Sequence, residues 1–252
     1  MKKLLVLLFL LGGFQLQAQT IVQEIFNVGG ASHVSDMDVP KPTRPGSTLI
    51  AMPGPMSPGV KVMSITDNAP AGSNVYQQVP GAASSCGREA LDIWYCEKCN
   101  PGVTELKYHF SGHVMSVNTF LEVSDLALIS PVDGTGVHVT DGTGTSDGVE
   151  AGPAIKTTAT DFLIARYYSA APPAAVTPAP WTLKSTYVYA SNAPTGTHQP
   201  TLTGGGEAGS FCMSLAAFKT TASGTTAAQR EPGENHSETG STLFSDNEKP
   251  KF

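Results

Sequence analysis

The feature that most restricts this chain is its punctuation. Gly and Pro together number 45 of 252 residues. Beyond the N-terminus, no window of about a dozen residues repeats its apolar side chains at the 3.6-residue period of a helix. Pro-Gly, Asp-Gly, Asn-Pro-Gly and Gly-Gly-Gly signals instead separate short runs rich in β-branched and aromatic residues. These runs are Ile21–Val28, Thr48–Met52, Val60–Thr66, Asn74–Val79, Leu91–Cys96, Glu105–Phe110, Val117–Val123, Phe162–Tyr168, Thr182–Ala190 and Phe211–Phe218. In Glu105-Leu106-Lys107-Tyr108-His109-Phe110 the apolar residues fall on alternate positions, as a half-buried strand requires. The expected fold is all-β: a two-sheet antiparallel β-sandwich, with a jelly roll as its winding.

The first residues have a different character. Met1-Lys2-Lys3, an apolar run from Leu4 to Leu11, then Gly12-Gly13 and Leu16-Gln17-Ala18 form a signal peptide, with cleavage expected after the small residue Ala18. The run is far shorter than the ~20 residues a membrane-spanning helix needs, and no second long apolar stretch follows. The expected location is therefore extracellular, either secreted or held at the cell surface. Loss of Lys2 and Lys3 leaves 13 basic against 21 acidic side chains, a formal charge of −8. That balance argues against nucleic acid and anionic lipid, both of which reward clustered Lys and Arg. One β-sandwich domain is expected over residues 19–219. Ser32–Gly46 reads as a loop before its core. Residues 220–252 carry few large apolar side chains and read as a disordered polar tail.

Several segments resemble a known kind of domain when taken in order. They are Gly46-Ser47-Thr48-Leu49-Ile50-Ala51, Ser64-Ile65-Thr66-Asp67-Asn68, Asp92-Ile93-Trp94-Tyr95, Phe120–Leu126, Asp133-Gly134-Thr135-Gly136, Asp161–Ala165 and Phe211–Phe218. The series is similar to an uncharacterised bacterial secreted β-sandwich domain found alone or within large cell-surface proteins. The resemblance spans about Ile21 to Lys219 and implies a jelly-roll fold in an extracellular setting. It brings no active-site residues with it. The Pro53–Pro58 loop and the cysteines depart from it.

Four cysteines in an exported chain point to disulfides. The expected bridge joins Cys86 to Cys96 or Cys99, and Cys212, inside a core-like run, reads as a buried thiol. Cys96-Glu97-Lys98-Cys99 lacks the second pair that a zinc site would need and the βαβ context of a redox motif. Asp133, Asp141 and Asp147, with Glu150 beyond, could gather oxygens around calcium, although Asp-Gly is an ordinary turn. His109 and His113 read as a surface pair. Glu122 and Asp125, three residues apart on a strand, point to opposite faces and do not make a glycosidase pair. No Gly-x-Ser-x-Gly elbow or phosphate loop occurs. Among the aromatics, Trp181, Tyr95 and Tyr168 are the candidates for stacking on a sugar. The functional expectation is a non-catalytic binding or scaffold module, with glycan as its ligand and no cofactor other than calcium. The alternatives are a subunit of an extracellular fibre or matrix that contacts its own kind, and a hydrolase whose carboxylates meet only in space.

Overall fold

The computed structural model describes residues 19–86, 89–140, 148–169, 171–204 and 210–221. The first strands in chain order are β1 (Ile21–Asp38), β2 (Thr48–Met52), β3 (Val62–Asp67), β4 (Tyr76–Cys86), β5 (Glu89–Cys96) and β6 (Glu105–Val123). Next come β7 (Val132–Thr140), β8 (Val149–Ala151), β9 (Ile155–Thr157), β10 (Asp161–Ser169) and β11 (Ala175–Thr177). The last are β12 (Thr182–Leu183), β13 (Tyr187–Ala193), β14 (Gly196–His198), β15 (Thr201–Thr203) and β16 (Phe211–Lys219). One large sheet runs β1-β6-β2-β5-β4, with β3 also on β6, and a second runs β12-β13-β10-β16-β7. Two small sheets, β11-β15-β8 and β14-β9, complete the chain. The fold is an all-β antiparallel sandwich, as the sequence indicates; a jelly-roll winding does not follow from these pairings.

The apolar pattern explains the layering. Strand side chains alternate between faces, so a strand with apolar residues at every position must lie between two cores. In β2, Leu49 and Ala51 enter one core while Ile50 and Met52 enter another. In β10, Phe162 and Ile164 meet β2 and β5 across the sandwich, and Leu163, Ala165 and Tyr167 turn to a third core. That third core is closed by Ile155, Trp181 and Leu202 from the outer segments. The first core needs its own lid, and the β1/β6 ribbon provides it by doubling back. Its register slips between Gly29 and Ser32 and again between Ser32 and Val34. Asn27 Nδ2 donates to the Asp36 carbonyl at 3.0 Å across nine residues of chain. A Cβ at Gly29 would overlap the Ser35 hydroxyl, so glycine permits the fold-over. Met37, Leu106 and Tyr108 from one half then pack with Ile25 and Phe120 from the other.

Two sequence expectations change here. Ser32–Asp38 is strand rather than loop, because Val34–Asp38 pairs with Glu105–His109. The Asp133-Gly134-Thr135-Gly136 segment is also strand, part of β7, with Gly134–Gly136 paired with Leu215–Ala217 of β16. Its glycines serve close packing rather than a turn: a Cβ on Gly136 would stand 2.9 Å from both Ile155 and Pro153.

Two polar devices fasten the large sheets together. Arg166 of β10 is completely buried and reaches across to the first sheet. Its Nη1 donates to the Met52 carbonyl at 2.7 Å, and its Nη2 to Glu89 Oε1 at 2.8 Å and the Val117 carbonyl at 2.7 Å. Burial pushes the Glu89 carboxyl up, and the guanidinium partly offsets this. The second device is a disulfide between Cys86 of β4 and Cys212 of β16. It corrects the expected pairing: Cys86 and Cys212 meet with Leu91 and Tyr168 in a small cluster between the sheets. Cys96 pairs with Cys99 instead. The left-handed backbone at Lys98 (φ 52°) turns the chain back on itself there. None of the described cysteines is free, so Cys212 is not a buried thiol. Breaking the four-residue Cys96–Cys99 ring should cost no more than about 2 kcal/mol, because so short a loop restrains the unfolded chain weakly. Urea denaturation of a Cys96→Ser/Cys99→Ser variant checks this.

Candidate functional site: the free edge of the first sheet

The three aromatic candidates do not share a surface. Trp181 is only 8% exposed and sits in the third core. Tyr168 is half-buried against the Cys86–Cys212 cluster. Tyr95 packs edge-on against Phe218, with ring centroids 5.6 Å apart. Its hydroxyl, 3.5 Å from Glu97 Oε1, reaches an open groove of about 460 Å³ lined also by Gln77, Ser130 and Thr135. That groove offers polar groups but no exposed aromatic face, since the Tyr95 ring is buried. Sequence alternation could place each ring on a strand, but not say which layer would cover it.

The carboxylates divide into structural acids and one unusual pair. Glu122 accepts hydrogen bonds from Gln23 Nε2 at 2.7 Å, Arg44 N–H at 2.6 Å and Ser47 Oγ at 2.8 Å. It ties β1 and the segment before β2 to the end of β6. Asp125 lies beyond the strand in a left-handed turn (φ 62°) and accepts from its neighbour Ser124. Asp141 and Asp147 of the calcium expectation lie outside the described residues. Asp133 accepts from Thr158 N–H at 2.5 Å and from the Thr158 hydroxyl at 2.6 Å. Lys219 Nζ stands 3.8 Å from it. Asp161 is fully buried, and neither of its oxygens has a hydrogen-bond partner among the described residues. Burial and the nearby Asp133 charge both push the Asp161 carboxyl up, which favours its protonated form. Among the described residues, no group of three or more His, Cys, Asp or Glu is placed to hold a metal.

The pair has a testable consequence. Burial, then the Asp133 charge, push Asp161 up to about 7, with Lys219 opposing them. For Asp133, burial works against the charge, but the Thr158 bonds, Asp161 and Lys219 hold it below its ordinary value. A carboxyl whose folded pKa is raised binds more protons when folded, so its stabilisation is complete below the unfolded value near 4. It is lost as pH rises through about 7. Asp133 acts in the opposite sense, and only below its ordinary range. The urea midpoint should therefore fall between about pH 5 and pH 8. Asp161→Asn should remove most of that fall and be the more stable protein at pH 8. An equal decline in both proteins would show that the pair does not govern it.

The most distinctive surface is an edge. β1 is the terminal strand of the first sheet, and among the described residues only β6 pairs with it. Its partners Phe26↔Thr119 and Val28↔Val117 put Phe26 and Val28 on the same face as Leu121, which is the face turned to the second sheet. The second sheet ends at the two-residue strand β12 and does not cover them. Phe26 is 50% exposed, Val28 58% and Met115, on that face of β6, 52%. Lys184 Nζ bridges to Glu24 at 2.9 Å and Thr186 meets Thr119 at 3.0 Å, marking where cover stops. The apolar inner face of the sandwich thus continues into solvent along its open edge. Ile21–Val28 was legible as a strand, but only the strand order reveals that it is terminal and overhanging. No known protein family, curated protein or solved structure matches this chain.

Proposed function

We propose that this protein is a non-catalytic building block of an extracellular assembly, and that it joins a second copy of itself by pairing β1 with β1. The observation that carries the reading is the overhanging free edge with Phe26 and Val28 exposed upon it. Unpaired strand edges template the addition of another strand, and long apolar ones are blunted where pairing is unwanted. The half of β1 from Ile21 to Gly30 carries one charge, Glu24, whereas Asp36 and Asp38 lie beyond the register slips. Antiparallel pairing about Asn27 sets Phe26 of one copy opposite Val28 of the other and Glu24 opposite Gly30. No carboxylate then faces another, and an aromatic–aliphatic pair forms twice. A twofold contact of this kind repeats the same residues on both partners, as closed dimers do. The disulfides and the absence, among the described residues, of any helix able to span a membrane fit an exported setting.

Sedimentation equilibrium of the chain from Gln19 onward tests this. A dimer is expected at micromolar concentration, and Phe26→Lys/Val28→Lys should be monomeric with unchanged circular dichroism. A wild-type monomer at all concentrations would refute self-pairing and leave the edge to a strand from another protein. A dimer unaffected by the substitutions would place the contact elsewhere.

A further inference from the structure

The register slip that folds the β1/β6 ribbon has a second product. Ser32 pairs with Val114, and His33, in the register slip that follows, comes to lie beside His113. Their ring centroids are 4.0 Å apart, edge to face, and both side chains are exposed at the bend of the ribbon. His109, the neighbour of His113 in sequence, instead meets the Thr66 hydroxyl at 3.1 Å and takes no part.

We propose that His33 and His113 form a bis-imidazole site for a first-row transition-metal dication of the Zn²⁺ class. The two ring centroids already stand 4.0 Å apart, close enough for small rotations of two exposed rings to bring one nitrogen of each to a common ion. Imidazole nitrogen is a preferred ligand of Zn²⁺, Cu²⁺ and Ni²⁺ and a poor one for Mg²⁺ or Ca²⁺. The bend that holds the two strands is fixed on the protein side: Gly29 packs under the Ser35 and Ser116 hydroxyls, and Asn118 donates to both of those oxygens at 3.1 and 2.9 Å. The imidazoles supply two ligands and water completes the shell, so the site is open on its solvent side. This site stands apart from the β1 pairing surface at Phe26 and Val28 and does not depend on it.

Isothermal titration of the metal-free protein with Zn²⁺ alone tests the proposal. One saturable site per chain is expected, weakened at least about tenfold in His33→Ala and in His113→Ala. Both residues are exposed, so the variants should keep the wild-type urea midpoint without metal. His138→Ala, on β7, should bind as wild type. In a ¹H–¹⁵N spectrum, the amides shifted by Zn²⁺ should be those around 32–34 and 112–114. Absence of saturable binding, equal binding by the His33→Ala/His113→Ala double variant, or Mg²⁺ binding as tight as Zn²⁺ would each overturn it.

Discussion

A Cys86→Ser/Cys212→Ser variant should lose about 3–5 kcal/mol of stability, and most of that loss should come from the unfolded state. The bridge closes a loop with a sequence separation of 126, the larger of the two rings in the molecule. Chain-entropy reasoning assigns about 5 kcal/mol to a loop of that length, and measured values for native bridges run about 2–5. The packing contribution is smaller: the two sulfurs fill a pocket with Leu91 and Tyr168, and serine leaves that pocket slightly underfilled and polar. Urea denaturation is the measurement. The midpoint should drop sharply, and dithiothreitol should lower the wild type toward the variant while leaving the variant almost unmoved. A loss below about 1 kcal/mol would mean that the sheets are held in register without the bridge.

Replacing Arg166 by Met should cost a similar amount, about 3–5 kcal/mol, for a different reason. The guanidinium is the ion partner of Glu89 and satisfies two backbone carbonyls at the centre of the sandwich. Removing it strands a buried carboxylate and two buried acceptors. Breaking one half of a buried pair is far more costly than removing both halves. Arg166→Met/Glu89→Gln should therefore recover a large part of the loss. The site is also tight: a methyl on Gly54 would overlap the guanidinium, the Glu89 oxygen and the Val117 carbonyl. Gly54→Ala should for that reason approach the single Arg166 variant in cost, although it removes no interaction. A double variant no more stable than Arg166→Met alone would show that the penalty lies in packing volume rather than in the stranded charge.

These features show where reading from sequence stops. β2 and the ends of β10 and β16 could be recognised because their residues are apolar and β-branched or aromatic over five or more positions. The alternation of Leu106, Tyr108 and Phe110 likewise fixed one face of β6. The partners were not legible. Arg166 and Glu89 are 77 residues apart, and Cys86 and Cys212 lie 126 apart. No local pattern encodes which strands will face each other. Cys96 and Cys99 read as half of a longer-range bridge because the turn at Lys98, which closes them on one another, depends on a left-handed residue with no glycine to announce it. β7 was missed for the opposite reason: Gly134 and Gly136 signal turns, yet here they let Ile155 and Pro153 approach the sheet. The same ambiguity hid the bend at Gly29, and with it the meeting of His33 and His113.

If two copies meet along β1 about Asn27, a cysteine at position 27 of one copy stands opposite the same cysteine of the other. Residues directly opposed in an antiparallel pair have Cα atoms about 4.5–5.5 Å apart, within the range a disulfide spans. All four native cysteines are already paired, so Asn27→Cys introduces the one free thiol among the described residues. Under mild oxidation it should give a covalent dimer in high yield at micromolar protein, while Cys placed at exposed Val75, just before β4, should not. Slow cross-linking at position 27, no faster than at position 75, would contradict pairing about Asn27 and the assembly built on it.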